Sequence, residues 1–284
     1  MENIKQILQY WGMGEATATP IKSPSQSTWD VDNKYILKET SRFSNADEFK
    51  RGMQFSNLLN ARNIPVAVFI PTNDGRLTSP DGLYCLMSKL LGKHADFYCG
   101  PNLAVEMGRE LARLHVALIT IEPQITCHDS DLLADWDKWI KPRLDGFVSN
   151  DIVETVDAVF RKLYPILPRQ LIHRDVHLHN VLFDDGKLTG WLDFDISQRN
   201  VRLFDIAYLL GGLLCGEQHD PARVGIWHTI RHNLLHGYNE VSALTDDERS
   251  ALPVLMIVIE FLFVCFWNGR DNAEQRDAAL DLAK

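Results

Sequence analysis

Several things are scarce in this sequence, and each scarcity removes a class of function. Positive charge is the first: 29 Lys and Arg against 38 Asp and Glu leave a formal net charge of −9. A chain that acidic is a poor polyanion binder, so nucleic acid is not expected as a partner. Cysteine is next. Cys85, Cys99, Cys127, Cys215 and Cys265 are scattered, odd in number and without CxxC spacing. That excludes a disulfide framework or a zinc ribbon and suits buried thiols in a reducing, cytoplasmic compartment. The N-terminus MENIKQILQYWGMG lacks the charged and then apolar regions of a secretory leader. The most apolar stretch, 252–267, is interrupted by Glu260 and falls short of the roughly 20 residues a membrane span needs. It reads as a core helix, and no membrane partner is expected. No internal repeat is visible.

What is present is a chain of 284 residues, 45% hydrophobic, long enough for a large core and two lobes. Its texture changes once. Residues 2–12 have the spacing of a short amphipathic helix, and 16–40 alternate turns with short strand-like runs that end on YILKE. A helical stripe through Phe49, Met53, Phe55, Leu58 and Leu59 follows, then the strand-like runs VAVFIPT and LYCLMSKLL. From Leu103 onward the spacing is helical, except at 171–195. Residues 1–91 are therefore expected to form a small antiparallel lobe of about five strands with one helix. Residues 92–284 are expected to form a larger helical lobe, joined by the connector 92–102. The fold class is α+β.

The exception, LIHRDVHLHNVLFDDGKLTGWLDFD, is where the chemistry concentrates. Apolar run, polar loop, apolar run, Asp-Gly turn and apolar run describe a loop beside a β-hairpin. Such a hairpin carries Asp193 back towards Asp175 and Asn180. Two chemistries compete for it. His173, Asp175, His177 and His179 have an alternation that could bind zinc, but further ligands on neighbouring strands are wanting. Phosphoryl transfer uses the residues more fully: a carboxylate for the acceptor hydroxyl, two oxygen ligands for Mg²⁺, and a lysine for the phosphates. Lys38, on a strand of the other lobe, supplies the last.

HRDVHLHN followed by LDFD resembles the catalytic and metal motifs of the aminoglycoside phosphotransferase-like, choline-kinase-like branch of the protein-kinase-like fold. The resemblance extends to the Lys38 strand, the Glu48 helix, MSKLLG, GRELARLH and FDIAYLL. It implies a bilobal kinase using ATP or GTP and Mg²⁺ on a small-molecule hydroxyl acceptor, such as an aminoglycoside, macrolide, sugar or amino alcohol. An antibiotic acceptor would make it a resistance enzyme, and a monomer or homodimer is expected. By resemblance Asp175 is the catalytic base, Asn180 and Asp193 hold the metal, and Lys38 contacts the phosphates with Glu48 as its counter-ion. Ser25 and Ser27 belong to the phosphate loop. Ser88 and Leu90 offer backbone groups to the nucleobase, which Ile36, Leu182 and Leu192 sandwich. Asp205 braces the catalytic loop.

The sequence departs from the pattern in three places. The loop PIKSPSQSTWD has no glycine, and His179 stands where relatives often carry glycine. Counting back from Ile64–Pro65, the acidic position of the helix falls nearer Gly52 or Met53, while Asn45 and Glu48 have capping-box spacing. Acceptor contacts are sought at Trp267, Asn268 and Arg270, at the acidic set Asp129, Asp131, Asp135 and Asp137, and in a cage of Trp136, Trp139 and Trp267. The competing expectation is a non-catalytic kinase-like binding or spore-coat-type structural protein.

Overall fold

The computed structural model describes residues 4–21, 27–40, 46–96 and 100–283, without the side chains of residues 46–48. The N-terminal sheet has the order β1-β2-β3-β5-β4, all antiparallel. Its strands are β1 (Ala18–Ile21), β2 (Thr28–Val31), β3 (Tyr35–Glu39), β4 (Phe69–Ile70) and β5 (Tyr84–Ser88). Only two residues of VAVFIPT join the ladder, because the backbone around Pro65 and Val66 pairs with Trp191 of the 181–191 hairpin instead.

The side-chain period of two divides the sheet between two helices. Leu37, Tyr84 and Leu86 face α1 (Ile4–Leu8) and the turn after it, in a cluster with Ile7, Leu8 and Trp11. Cys85 faces the other way, in a cluster with Phe49 and Met53 of α2 (Ala46–Asn60). Lys38 is directly opposite Cys85 across the β3–β5 ladder. Opposed residues share a face, so Lys38 lies on the α2 side.

The connector is stitched to the hairpin below it. Lys93 exchanges backbone hydrogen bonds with Phe183 (2.9 and 2.8 Å). The hydroxyl of Thr189 donates to the Leu91 carbonyl (2.6 Å). Gly92 is at φ +116°, and a Cβ there would lie 2.8 Å from the Phe183 carbonyl oxygen, so only glycine fits.

The C-terminal part is built on α3 (Pro101–Ile121), α5 (Asn150–Leu163), α6 (Leu203–Leu214), α7 (Pro221–Val241), α8 (Asp246–Asn268) and α9 (Ala273–Ala283), with a short α4 at Leu132–Asp135. The α3–α7 crossing is unusually close because glycines face backbone: a Cβ on Gly108 would stand 1.9 Å from the Leu234 carbonyl oxygen. Helix α8 is long and apolar enough to span a membrane by length and composition, yet Val258, Ile259, Phe261 and Val264 are wholly buried in the fold. Residues 136–140 form a π-turn that puts Trp136, fully buried, against Phe160 and Phe261. Two small ladders carry the site: β7 (Val181–Asp184) with β8 (Lys187–Trp191), and β6 (Arg169–Ile172) with β9 (Gln198–Val201). The second ladder is not expected from the sequence, since the β9 segment QRNV has no alternating apolar pattern.

Candidate active site

The loop between β6 and β7 is held from beneath by Asp205. This carboxylate, fully buried on α6, accepts from the backbone N–H groups of His173 (2.9 Å) and Arg174 (2.7 Å). It also meets Nε2 of His115 at 3.0 Å, whose Nδ1 meets the Tyr238 hydroxyl at 2.8 Å. Arg174 sits at φ +71°, a conformation that costs a non-glycine residue of order 1 kcal/mol. The paired bonds to Asp205 hold it there.

His173 joins the two halves of the site. Its Nδ1 accepts from the Asp175 backbone N–H (3.3 Å), and its Nε2 lies 2.8 Å from the Leu192 carbonyl, which it meets as a donor. The Leu192 N–H donates in turn to the Asn180 carbonyl (2.9 Å), so Asp193 is carried to the edge of the loop as the hairpin pattern predicts. His177 caps the single 3-10 turn 178–180 by accepting from the His179 N–H (3.2 Å). The zinc reading fails here. His173 has both nitrogens committed within the fold, and no cluster of three or more metal-ligating side chains occurs among the described residues.

Asp175 stands with its side chain one-quarter exposed. One oxygen accepts from the Tyr208 hydroxyl (2.9 Å), and the other accepts from Nδ2 of Asn180 (2.9 Å) and faces Nε2 of His177 at 3.5 Å. Burial by itself would raise its pKa. The His177 hydrogen bond, the nearby imidazoles and the Tyr208 hydroxyl outweigh burial and hold the carboxyl below its ordinary value. Burial and the Asp175 charge push the Tyr208 phenol far above its own. Tyr208 therefore stays a donor, and Asp175 an ionised acceptor, across neutral pH.

Asn180 has its amide N–H groups turned to the Asp175 carbonyl and carboxylate (2.9 Å each), which leaves Oδ1 pointing away. Asp193 is exposed at φ +62°, a backbone conformation Asp tolerates better than most residues. Two hard oxygen donors, one oriented by hydrogen bonding and one open to solvent, match Mg²⁺, which takes few protein ligands and completes its shell with water and phosphate.

Lys38 and Asp195 both act electrostatically on the Cys85 thiol, which burial pushes up to about 12. The two charges thus share one neighbourhood. Gly52 of α2 touches that same carboxylate: a Cβ there would lie 2.7 Å from Asp195 Oδ1. The acid facing the helix at this point is Asp195, from outside the helix, while Met53 is core. The Glu48 side chain and Ser25 lie outside the described residues. Ser27 is half-buried, with its carbonyl accepting from the Glu39 N–H (3.0 Å). For the nucleobase, Leu90 and Leu182 converge over Gly190, whose missing side chain makes room for both. Ile36 and Leu192 are half-buried as well. The Ser88 N–H is already bonded to the Val68 carbonyl (2.8 Å), so Ser88 retains only its carbonyl for a ligand.

Beside the Asp175 partners His177 and Tyr208 opens a cavity of about 420 Å³ between the β6–β7 loop, α6, α8 and α9, lined also by Glu260, Phe263 and Trp267. Of the expected acceptor contacts only Trp267 lines it. Arg270 lies over the Phe266 ring (4.4 Å), and Asn268 accepts from Arg276 (3.3 Å). The tryptophans do not converge into a cage, since Trp136 is buried and donates to Asp157 (2.6 Å). The acidic set is structural at three of its four positions. Asp131 caps α4, Asp137 pairs with Arg161, and Asp129 pairs with Arg169 and Arg199. The sequence signal for this cavity is Glu260, a lone charge inside an apolar run. His179 finds a place too, its ring edge-on to those of His94 and His177 (5.9 Å each).

The fold is protein-kinase-like. The chain superposes on an aminoglycoside phosphotransferase from Alicyclobacillus acidocaldarius with a TM-score of 0.71 at 14% identity, covering 98% of this chain and 94% of that one. It superposes on a microcompartment-associated aminopropanol kinase with a TM-score of 0.65 at 18% identity, covering 99% and 93%. In sequence it is 26% identical over 255 residues to the homoserine kinase of Zymomonas mobilis subsp. mobilis, 85% of this chain and 76% of that protein. Residues 17–244 match the phosphotransferase enzyme family, and the chain belongs to that family. It is a small-molecule phosphotransferase.

Proposed function

We propose that this enzyme transfers the γ-phosphoryl group of ATP or GTP, in the presence of Mg²⁺, to a hydroxyl of a small molecule seated in the cavity beside Asp175. One observation carries the reading: Asp175 is clamped by Asn180 and Tyr208, and two of its neighbours, Tyr208 and His177, line the cavity that would hold an acceptor. The acceptor hydroxyl donates its hydrogen bond to Asp175, which aligns the attacking oxygen and takes the proton as the new P–O bond forms. A carboxylate of lowered basicity suits this role, because the acceptor becomes acidic only late in a loose transition state. Asn180 Oδ1 and Asp193 would hold Mg²⁺, which when bound neutralises phosphate charge. Lys38 reaches the phosphates from the α2 face of the sheet, with Asp195 beside it. Ile36, Leu90, Leu182 and Leu192 enclose the base, with hinge carbonyl and amide groups at Ser88 and Leu90. Free thiols at Cys85, Cys127, Cys215 and Cys265 support a cytoplasmic location.

Asp175→Asn tests the assignment. Turnover should fall by roughly three orders of magnitude or more, while nucleotide affinity measured by calorimetry stays within about threefold. Full activity in that variant would overturn the reading. A wild-type enzyme silent across a broad panel of hydroxylated metabolites would favour the nucleotide-binding scaffold instead.

A further inference from the structure

Glu260 is the residue in this cavity that the fold itself does not explain. It sits in the middle of the most apolar helix, is 4% exposed and lines the cavity wall. Among the described residues no hydrogen-bond donor or cation lies against its carboxylate, and burial is the sole influence on its acidity, which it pushes up to about 8. The fold nevertheless makes room for it: a Cβ on Gly211 of α6 would stand 2.5 Å from Glu260 Oε1. A buried carboxylate without a partner is costly, and glutamine or leucine would remove that cost.

Its surroundings describe what it is waiting for. Glu260, Phe263 and Trp267 follow one another at i, i+3 and i+7, one face of α8 turned to the cavity. Tyr208 links the two ends of the site: its hydroxyl donates to Asp175, its ring stacks on Phe263 (5.5 Å between centroids), and it lies within electrostatic range of Glu260. Aromatic walls around an uncompensated carboxylate favour an organic cation. Among the described lining residues there is no Lys or Arg. The cavity is also at the small end of the range for ligand pockets.

We propose that the acceptor is a compact amino alcohol with one ammonium group and no carboxylate, its ammonium held by Glu260 and its hydroxyl presented to Asp175. This rests on the phosphotransfer reading above and narrows it. The homoserine kinases that resemble this chain take their name from an amino acid, whose carboxylate would meet no cation here.

The pairing carries a proton signature. The titratable groups that share the cavity wall with Glu260 are Tyr208 from α6, Cys215 just after it, Glu274 from α9, and His177 and His179 from the loop between β6 and β7. The next residue of α8, Phe261, stacks on Trp136, whose indole N–H donates to Asp157, itself paired with Lys141. At neutral pH the empty site holds a protonated Glu260. When an ammonium enters, one proton leaves, whether the remaining proton ends on nitrogen or on oxygen.

The test is calorimetric titration of the full chain, with Mg²⁺ and a non-hydrolysable ATP analogue, in two buffers of different ionisation enthalpy. The ligands are ethanolamine, 1-amino-2-propanol, homoserine, 1,2-propanediol and kanamycin, and phosphorylation of each is assayed in parallel with ATP. The amino alcohols should bind with release of close to one proton at pH 7, falling towards zero by pH 9. Glu260→Gln should abolish the release and weaken binding roughly tenfold or more. Its thermal melt at pH 5, unchanged from wild type, would show that it folds. Preference for homoserine, the diol or kanamycin would overturn the inference, as would amino-alcohol binding indifferent to Glu260→Gln. Phosphorylation of kanamycin or the diol alone would leave phosphotransfer standing and remove the amino alcohol. Binding with proton release but no turnover would do the reverse.

Discussion

Two buried carboxylates flank the catalytic loop, and they are opposites. Asp205 and Glu260 are 0% and 4% exposed, both on long helices of the C-terminal part. Asp205 is met by two backbone N–H groups and an imidazole nitrogen within 3.0 Å. Glu260 has no such neighbour among the described residues. Burial alone therefore does not distinguish a structural acid from a functional one; the set of donors does. An acid whose partners all come from its own fold has its task completed by folding, and one without partners has its task completed by a ligand. Breaking the first should produce the largest effect. Asp205→Ala leaves three inward-facing groups unpaired and an Arg174 backbone held in a left-handed conformation without support. We expect a loss of about 3–5 kcal/mol in urea unfolding, and a loss of less than 1 kcal/mol would mean the loop is supported elsewhere.

Removing the second charge should do nearly the reverse. The folded-state pKa of Glu260 is raised from 4.5 to about 8. For an acid shifted upward the folded chain binds more protons than the unfolded one, so its contribution is fully favourable below pH 4.5 and is lost as pH climbs through 8. Wild type should therefore lose on the order of 3 kcal/mol between pH 5 and pH 9 that Glu260→Gln retains. The two proteins melt together at pH 5, and the variant melts higher at pH 9. Equal melting at both ends would place a counter-ion at Glu260.

The contrast also explains what could be read in the sequence. Asp175, Asn180 and Asp193 were legible because local chain geometry joins them: a 3-10 turn, a hairpin and a histidine bridge, all within 173–193. Lys38 is legible only through the resemblance, since a lysine in a strand is ordinarily just solvated, and its place opposite Cys85 comes from the ladder. Tyr208, Phe263 and Glu260 come together only when α6 and α8 cross, and nothing in either segment announces the other. The same holds for Asp195, which reaches α2 because position 52 is glycine. The acidic segment 129–137 is dense in charge, yet at least three of those charges are used in a cap and ion pairs. Composition marks charge, and only packing shows which charge lacks a partner.

Tyr208 lies between the two extremes, since it donates to the proposed base, Asp175, from the cavity side. Tyr208→Phe keeps the stacking on Phe263 and removes one donor from Asp175. That donor is among the influences lowering the Asp175 pKa, so its loss raises it. The acid limb of the kcat/KM profile should move to higher pH by up to about one unit, and kcat at neutral pH should fall by about tenfold. An unmoved acid limb would separate Tyr208 from the proton transfer and leave it a wall of the cavity.

The smallest effect belongs to His179, exposed at the cavity mouth with only ring contacts to His94 and His177. Its backbone N–H, not its side chain, serves the turn by donating to His177. His179→Ala keeps that N–H, so stability should change by less than about 0.5 kcal/mol and kcat should be held within about twofold. The turn stays capped, and Asp175 and Asn180 keep their clamp. What the substitution changes is the width of the entrance, so the readout is the acceptor KM at fixed nucleotide. A change in kcat instead would mean that the imidazole, and not merely the turn it sits on, takes part in setting the catalytic loop.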